Sequence, residues 1–325
     1  MHRSKTLSRL PSLKAVGDND TYLISSTQLG KGAFGVVVEG NPESNPKQKL
    51  AFKQFQNPED FDNEKYINSR LQKIFKNKCN IYYTCMKDTF ETENTGFIVY
   101  DKAKGDLSSF IKKRGGDLYK YLEKRMYSGT FFDRRYMDVI TPQEKYTFVK
   151  AMVEIMQFNF EKGIIHSDIK PENILVFETP EKHNLFLMAD YGLSCIDGSV
   201  SKTKDVSDFL LLCDENTQIN GTPLFIPPFM IEMIKKQQKI DINTRYAYDI
   251  YAMGCTIFAF LTGMLYQLTG LDIRNFSYPD DISYNGNTIS KEDITSLLRD
   301  MITARSLTQF LSIRDKKDLW IRKSQ

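Results

Sequence analysis

The run Gly30-Lys31-Gly32-Ala33-Phe34-Gly35 is the first part of this sequence with chemistry to offer. Glycines let backbone N–H groups approach a phosphate closely, because no Cβ intervenes. A plain glycine-rich hairpin turn has the same composition. Lys53, in Ala51-Phe52-Lys53, is a cation inside an apolar run. It can face solvent or meet a buried anion. Glu64 shares an inward helical stripe with Ile67 and Leu71, and a carboxylate there wants a cationic partner. Lys53 is the natural one. Residues 164–176 read Ile-Ile-His-Ser-Asp-Ile-Lys-Pro-Glu-Asn-Ile-Leu-Val, and Ala189-Asp190-Tyr191-Gly192 follows. Asp168, Asn173 and Asp190 give two hard oxygen ligands suited to magnesium and one free carboxylate. Lys170 adds a cation two residues past Asp168. Loop caps for the acids and a solvated charge for the lysine are the bland readings.

The elements that must position these residues are legible from pattern. Strand-like runs cover Tyr22-Leu23-Ile24, Val36-Val37-Val38 and Leu50 to Phe55. The glycine-rich turn is therefore followed by a strand, not a helix, which disfavours a Rossmann dinucleotide site. The absence of a GK[ST] run excludes a Walker-type loop. Asn57-Pro58-Glu59-Asp60 announces a helix, with Asn as cap, Pro in the first turn and acids at the positive end of the dipole. Phe97 to Tyr100 reads as a strand ending at Asp101. Thr141-Pro142-Gln143-Glu144 is a capping box for a helix that stops at Gly163. Ile174 to Phe177 and Leu185 to Met188 form a hairpin pattern, and Ile250 to Leu261 is apolar nearly all round, as a core helix is. Strands first and then mostly helices imply an α+β chain in two lobes.

Composition sets outer limits. The chain has 325 residues, 41% apolar and 26% charged, with a net charge of +3. Such near balance argues against a dedicated nucleic-acid binder. Residues 1–17 carry four of the 44 bases and none of the 41 acids, so the remainder holds 40 against 41, a net of −1. The start is read as a basic flexible tail over residues 1–20. Five cysteines, an odd number without a CxxC pair, argue against a disulfide framework and a cysteine-built zinc site. A reduced, cytoplasmic setting is expected, with the nucleus also open. Ala252 to Tyr266, the longest apolar stretch, is too short to span a bilayer.

Taken in order, these motifs resemble the eukaryotic protein kinases, and their Ser/Thr branch in particular. The glycine-rich loop, strand lysine, catalytic loop, metal-binding Asp motif and closing Pro motif all occur in sequence, from about Leu29 to about Leu261. The resemblance implies a bilobal α+β fold with a small β-rich N-lobe (residues 21–101) and a larger helical C-lobe (residues 102–325). It implies an ATP- and Mg²⁺-using enzyme that phosphorylates Ser/Thr hydroxyls of protein substrates. By that resemblance Gly30, Lys31, Gly32 and Gly35 would cover the ATP phosphates. Lys53 would hold the α- and β-phosphates and pair with Glu64. Asp168 would accept the substrate hydroxyl proton, and Lys170 would neutralise the transferring group. Asn173 and Asp190 would hold Mg²⁺. Adenine would lie against Val37, Ala51 and Leu175, with its edge on the backbone of Asp101 and Ala103. Tyr100 would guard the back pocket. The run Lys170 to Asn173 and Gly221-Thr222-Pro223 look like Ser/Thr kinases. Asp249 would anchor the catalytic loop, and His166 would be a core histidine stacked with Tyr191.

The sequence departs from that pattern in four places. Ser167 stands where many kinases have an arginine that receives an activation-segment phosphate, so activity is expected not to require that phosphate. Pro227-Pro228-Phe229 has Phe where Glu is usual, and its arginine partner position falls near Gln309. Joint loss makes physical sense, because an unpaired buried charge costs on the order of 3–5 kcal/mol. Lys53 and Glu64 are only 11 residues apart, so the connection before the helix must be tight. Asn68 sits where an apolar side chain usually completes a core stack. The segment Asp190 to Phe229 is long and rich in Ser and Thr. Residues 112–140 look like an insertion. The alternative reading is a pseudokinase-type binding or scaffold protein on the same fold. A small-molecule kinase of related fold is a third.

Overall fold

The computed structural model describes residues 13–32, 35–93, 95–119, 134–200, 212–213, 221–305 and 322–323. The chain divides into two compact units, Met1–Lys104 and Gly105–Gln325. The boundary falls three residues beyond the Asp101 limit expected from the sequence.

Unit 1 is a six-stranded antiparallel sheet with one long helix. Its elements are β1 (Leu13–Val16), β2 (Thr21–Lys31), β3 (Val36–Pro42), β4 (Leu50–Phe55), α1 (Pro58–Phe75), β5 (Asp88–Thr92) and β6 (Thr95–Asp101), in sheet order β1-β2-β3-β4-β6-β5. Residues 13–16 therefore form an edge strand, with Leu13 opposite Ile24 and Val16 opposite Thr21, and not a part of a flexible tail. Buried Ala15 belongs to the core on that side, which explains why this piece of the basic segment is ordered.

Alternation along the strands gives the sheet two faces. Tyr22, Ile24, Val38, Leu50, Phe52, Phe90, Phe97 and Val99 form one apolar cluster. Phe55 and Ile98 lie on the opposite face, where Phe61 of α1 joins them. Lys53 sits between Ala51 and Phe55 in the strand period, so it shares the α1 face.

The connection from β4 to α1 is as short as the Lys53–Glu64 spacing demands. Asn57 caps the helix by accepting from the Glu59 N–H at 3.1 Å, and Pro58 occupies the first turn. Asn68 is buried on α1 and donates to its own helix at the Glu64 carbonyl, 2.8 Å away.

Unit 2 is mostly helical. It contains β7 (Gly105–Asp106), α2 (Leu107–Lys113), α3 (Arg134–Val139), α4 (Pro142–Lys162), β8 (Ile164–Ile165), β9 (Ile174–Glu178), β10 (Asn184–Met188) and β11 (Cys195–Ile196). There follow α5 (Pro228–Lys235), α6 (Ile242–Thr262), α7 (Tyr266–Thr269), β12 (Ile282–Tyr284), β13 (Asn287–Ile289), α8 (Lys291–Thr303) and β14 (Arg322–Lys323). The capping box at Thr141 and Glu144 forms with both of its bonds, and α4 ends on Gly163 in the left-handed region. Helix α6 is buried from Thr244 to Thr262, as its all-round apolarity demands. The β9–β10 hairpin pairs Ile174 with Met188 and Leu175 with Leu187. Within residues 112–140, read as an insertion, α2 reaches Lys113 and Arg134–Val139 is helical; residues 120–133 lie outside the described residues. The β12–β13 hairpin was not legible as strands, because its three-residue runs are too short to show a period.

Cysteine usage differs from the sequence reading. Cys79–Cys85 and Cys195–Cys213 are disulfides, and Cys255 is free and buried. Folding brings each pair to Cα separations of 5.5 and 5.0 Å, inside the range a disulfide spans. An odd count therefore conceals two bonds and one thiol. The expectation of a reducing compartment loses the premise on which it rested. No helix among the described residues is long and apolar enough to cross a membrane.

Candidate active site

In unit 1, the Lys53 ammonium lies 2.7 Å from Oε1 and 2.6 Å from Oε2 of Glu64. Both side chains are largely withdrawn from water, and the Phe55 ring stands 5.3 Å from the same ammonium. The inward register of Glu64 is thus as the sequence implies. Val37 pairs across the ladder with both Gly30 and Lys53, and Ala51 pairs with Tyr100. Val37, Ala51 and Lys53 are half-buried, as is Ala103. Asp101 ends β6 opposite Leu50, with its carboxylate on Lys87 at 2.8 Å.

The glycines divide by role. Among the described residues, a Cβ on Gly30 would meet nothing within 4 Å, and one on Gly32 only the Gly35 carbonyl at 4.0 Å. These two leave open space above the backbone, as close approach of a phosphate requires. A Cβ on Gly35 would lie 2.2 Å from the Gln54 carbonyl, so this glycine is needed for strand packing. Lys31 is exposed at the end of β2, and Ala33 and Phe34 lie outside the described residues.

In unit 2, the Asp168 carboxylate is the centre of a hydrogen-bonded ring. Oδ2 accepts from Lys170 Nζ at 2.7 Å and Asn173 Nδ2 at 3.0 Å. Oδ1 accepts from the Thr222 N–H at 3.1 Å and from its Oγ1 at 2.8 Å. Lys170 Nζ also donates to Thr222 Oγ1 at 2.8 Å. The Asn173 amide nitrogen serves the Asp168 backbone as well, and its amide oxygen is an acceptor of the kind a hard cation takes. Thr222 is the site residue the sequence reading left out of the catalytic set. Its signal was the Gly-Thr-Pro run itself. A Cβ on Gly221 would lie 1.8 Å from the Tyr248 hydroxyl and 2.6 Å from the Ser167 carbonyl, so only glycine lets Thr222 come this close.

The loop is held from below by Asp249. Its Oδ2 accepts from the His166 N–H at 2.6 Å and its Oδ1 from the Ser167 N–H at 2.9 Å. Burial pushes this carboxyl up to about 7, against the pull of those two N–H donors. His166 is fully buried, and burial holds its imidazole below the usual histidine value. Its Nδ1 accepts from the Asp168 N–H at 3.3 Å, so Nε2 carries the hydrogen toward the Ala189 carbonyl at 3.1 Å. The His166 and Tyr191 rings lie 5.2 Å apart, as expected of a core pair.

Asp190 follows immediately. The Ala189 N–H bonds the Asn173 carbonyl at 2.9 Å, which ties the Asp190 turn to the Asn173 turn. Ser167 and Asp190 both have positive φ, 67° and 62°. Backbone strain of this kind gathers at functional sites. Leu175 is half-buried on β9, opposite Asp106. Among the described residues no three His, Cys, Asp or Glu side chains gather into a metal-holding group. Magnesium bound with substrate phosphates needs only one or two protein oxygens, which Asn173 and Asp190 can supply. At the closing motif the Arg305 guanidinium stands 5.9 Å from the Phe229 ring, so an aromatic face occupies the position expected of a glutamate. Gln309 lies outside the described residues.

Comparison with known proteins gives a consistent answer. The human hormonally up-regulated neu tumor-associated kinase is 24% identical over 255 residues, covering 78% of this chain and 29% of that protein. Aurora kinase of Saccharomyces cerevisiae is 27% identical over 263 residues, 81% of this chain and 58% of the relative. Serine/threonine-protein kinase ArnS of Sulfolobus acidocaldarius is 25% identical over 258 residues, 76% and 37%. This chain thus spans less than a third of the first of these relatives and little more than half of the yeast one. The protein kinase domain family matches residues 23–306. The sheet-based unit 1, the helical unit 2 and that match together establish that the chain belongs to the protein kinase family.

Proposed function

We propose that this protein is an active serine/threonine protein kinase that transfers the ATP γ-phosphate to Ser or Thr hydroxyls of protein substrates. The observation that carries the reading is the Asp168 carboxylate, with both oxygens held by Lys170, Asn173 and Thr222. A carboxylate so fixed is oriented to accept a proton from an attacking hydroxyl. Lys170, already beside it, supplies positive charge where the transferring group becomes more negative. Lys53 would hold the α- and β-phosphates, kept in place by Glu64. Gly30 and Gly32 would admit the phosphates to the backbone, with Lys31 and Gly35 in the same loop. Val37, Ala51 and Leu175 would line adenine, and the Asp101 and Ala103 backbone would meet its edge. Asn173 and Asp190 would hold magnesium, which when bound neutralises phosphate charge. The Lys170 to Asn173 run and Gly221-Thr222-Pro223, which resemble Ser/Thr kinases, support Ser/Thr over Tyr preference. The neutral Ser167 beside Asp168 supports activity without an activation-segment phosphate.

The test is phosphate transfer from ATP to generic Ser/Thr protein substrates, wild type against Asp190→Asn. Wild type is expected to transfer and the variant to lose nearly all activity. Equal incorporation in both would assign the signal to contamination and return the chain to the pseudokinase reading.

A further inference from the structure

Cys195 lies on β11, and Cys213 follows 18 residues later. Their disulfide is supported by backbone contacts. Ile196 and Leu212, each next to a cysteine, form a parallel bridge. The Cys213 N–H donates to the Ile196 carbonyl at 3.0 Å. Strand β11 pairs in turn with β8, Cys195 opposite Ile165 and Ile196 opposite Ile164. Ile165 is followed directly by His166, Ser167 and Asp168. On the other side, Cys213 precedes Gly221 and Thr222 by eight and nine residues in sequence, and Thr222 holds Asp168 Oδ1. One covalent bond therefore joins the strand pair at the base of the catalytic loop to the chain that leads into Thr222.

The two disulfides differ in access. Cys195 and Cys213 are both half-buried, whereas in the other pair Cys79 is half-buried and Cys85 is 6% exposed. Thiol exchange requires that a small thiol reach a sulfur, and the Cys195–Cys213 bond is half-buried at both of its ends. Among the described residues the other backbone tie of Leu212 and Cys213 is that one bridge, too little pairing to hold a chain in water.

We propose that Cys195 and Cys213 form a redox modification site, a reversible disulfide that fixes the approach to Thr222 and raises the activity of the oxidised chain. The effect on activity rests on the kinase reading of Asp168; the bond itself does not. The oxidant is a low-molecular-weight disulfide such as glutathione disulfide. One protein thiolate attacks a glutathione sulfur, breaking that S–S bond and releasing one glutathione. The second protein thiolate attacks the mixed disulfide at the protein sulfur and releases the other. The protein gives up two protons and two electrons, and two glutathione thiols form.

The full chain is equilibrated with glutathione disulfide or with dithiothreitol. Peptide mapping of alkylated cysteines reads the bond, amide exchange reads the Cys213 N–H, and phosphate transfer reads activity. Reduction is expected to speed exchange at Cys213 and lower kcat/KM, each about tenfold. Cys213→Ser should stay at the reduced level in both buffers. The Cys79→Ser/Cys85→Ser double variant should keep the redox response. Transfer and exchange that ignore the redox state overturn the proposal, as does a response lost in the double variant. Absence of transfer in both states overturns the kinase reading instead, while mapping and exchange still report on the bond.

Discussion

Thr222 Oγ1 accepts from Lys170 Nζ and donates to Asp168 Oδ1, so a single hydroxyl closes the ring around the proposed base. Thr222→Val keeps the shape and removes both bonds. Bonds to charged groups are worth about 1.5–3 kcal/mol, so kcat is expected to fall about 10- to 100-fold, with Thr222→Ser recovering most of it. A fall confined to KM would make Thr222 a substrate contact only. Asp249 gives a prediction in pH. Its carboxyl is pushed from 3.8 to about 7 in the folded chain, so the folded state keeps a proton that the unfolded chain releases. The stability it contributes is complete below pH 3.8 and is lost as pH rises through about 7. Asp249→Asn does not titrate there. The melting temperature of wild type relative to this variant should therefore drop between about pH 4 and pH 7; a constant difference would show that Asp249 stays ionised.

At the scale of elements, the glycine-rich turn separates two demands that the sequence merges. Among the described residues Gly30 has open space around its Cβ position, whereas a Cβ at Gly35 would collide with the Gln54 carbonyl. Gly30→Ala is expected to keep the melting temperature and raise the KM for ATP several-fold. Gly35→Ala should part β3 from β4 and cost about 1–3 kcal/mol in thermal or denaturant unfolding. Equal stability of the two variants would refute the division. Helix α1 poses the opposite case, a polar residue in an apolar place. Asn68 is 2% exposed and, among the described residues, bonds only locally, to the Glu64 carbonyl that its own helix already uses. Asn68→Leu is close in shape and is expected to raise the unfolding free energy by about 1 kcal/mol. A loss of stability would mean that the amide oxygen has a partner that matters.

For the whole molecule, the two disulfides change the account of stability. Cys79–Cys85 closes a short loop in unit 1, and Cys195–Cys213 closes an 18-residue one in unit 2. Chain-entropy reasoning assigns them about 2 and about 3 kcal/mol. Reductant should therefore lower the unfolding midpoint. A midpoint that does not move would mean that neither bond is formed in solution. Charge is distributed at this scale too. The +3 of the chain is concentrated in its first residues, and the remainder is nearly neutral.

Local chemistry was legible without a fold. The caps at Asn57 and Thr141, the stop at Gly163, the inward stripe of Glu64 and the all-apolar α6 follow from short-range periodicity and backbone preference. Those depend on neighbours in sequence, so the sequence by itself determined them. Thr222 beside Asp168, 54 residues away, depended on a chain path that no local pattern encodes. The same holds for Arg305 over Phe229, for β1 as an edge strand and for both disulfides. Each joins residues whose meeting is set by packing of distant segments, and a cysteine count or a motif carries no information about which segments those are. Only the tertiary structure decided them.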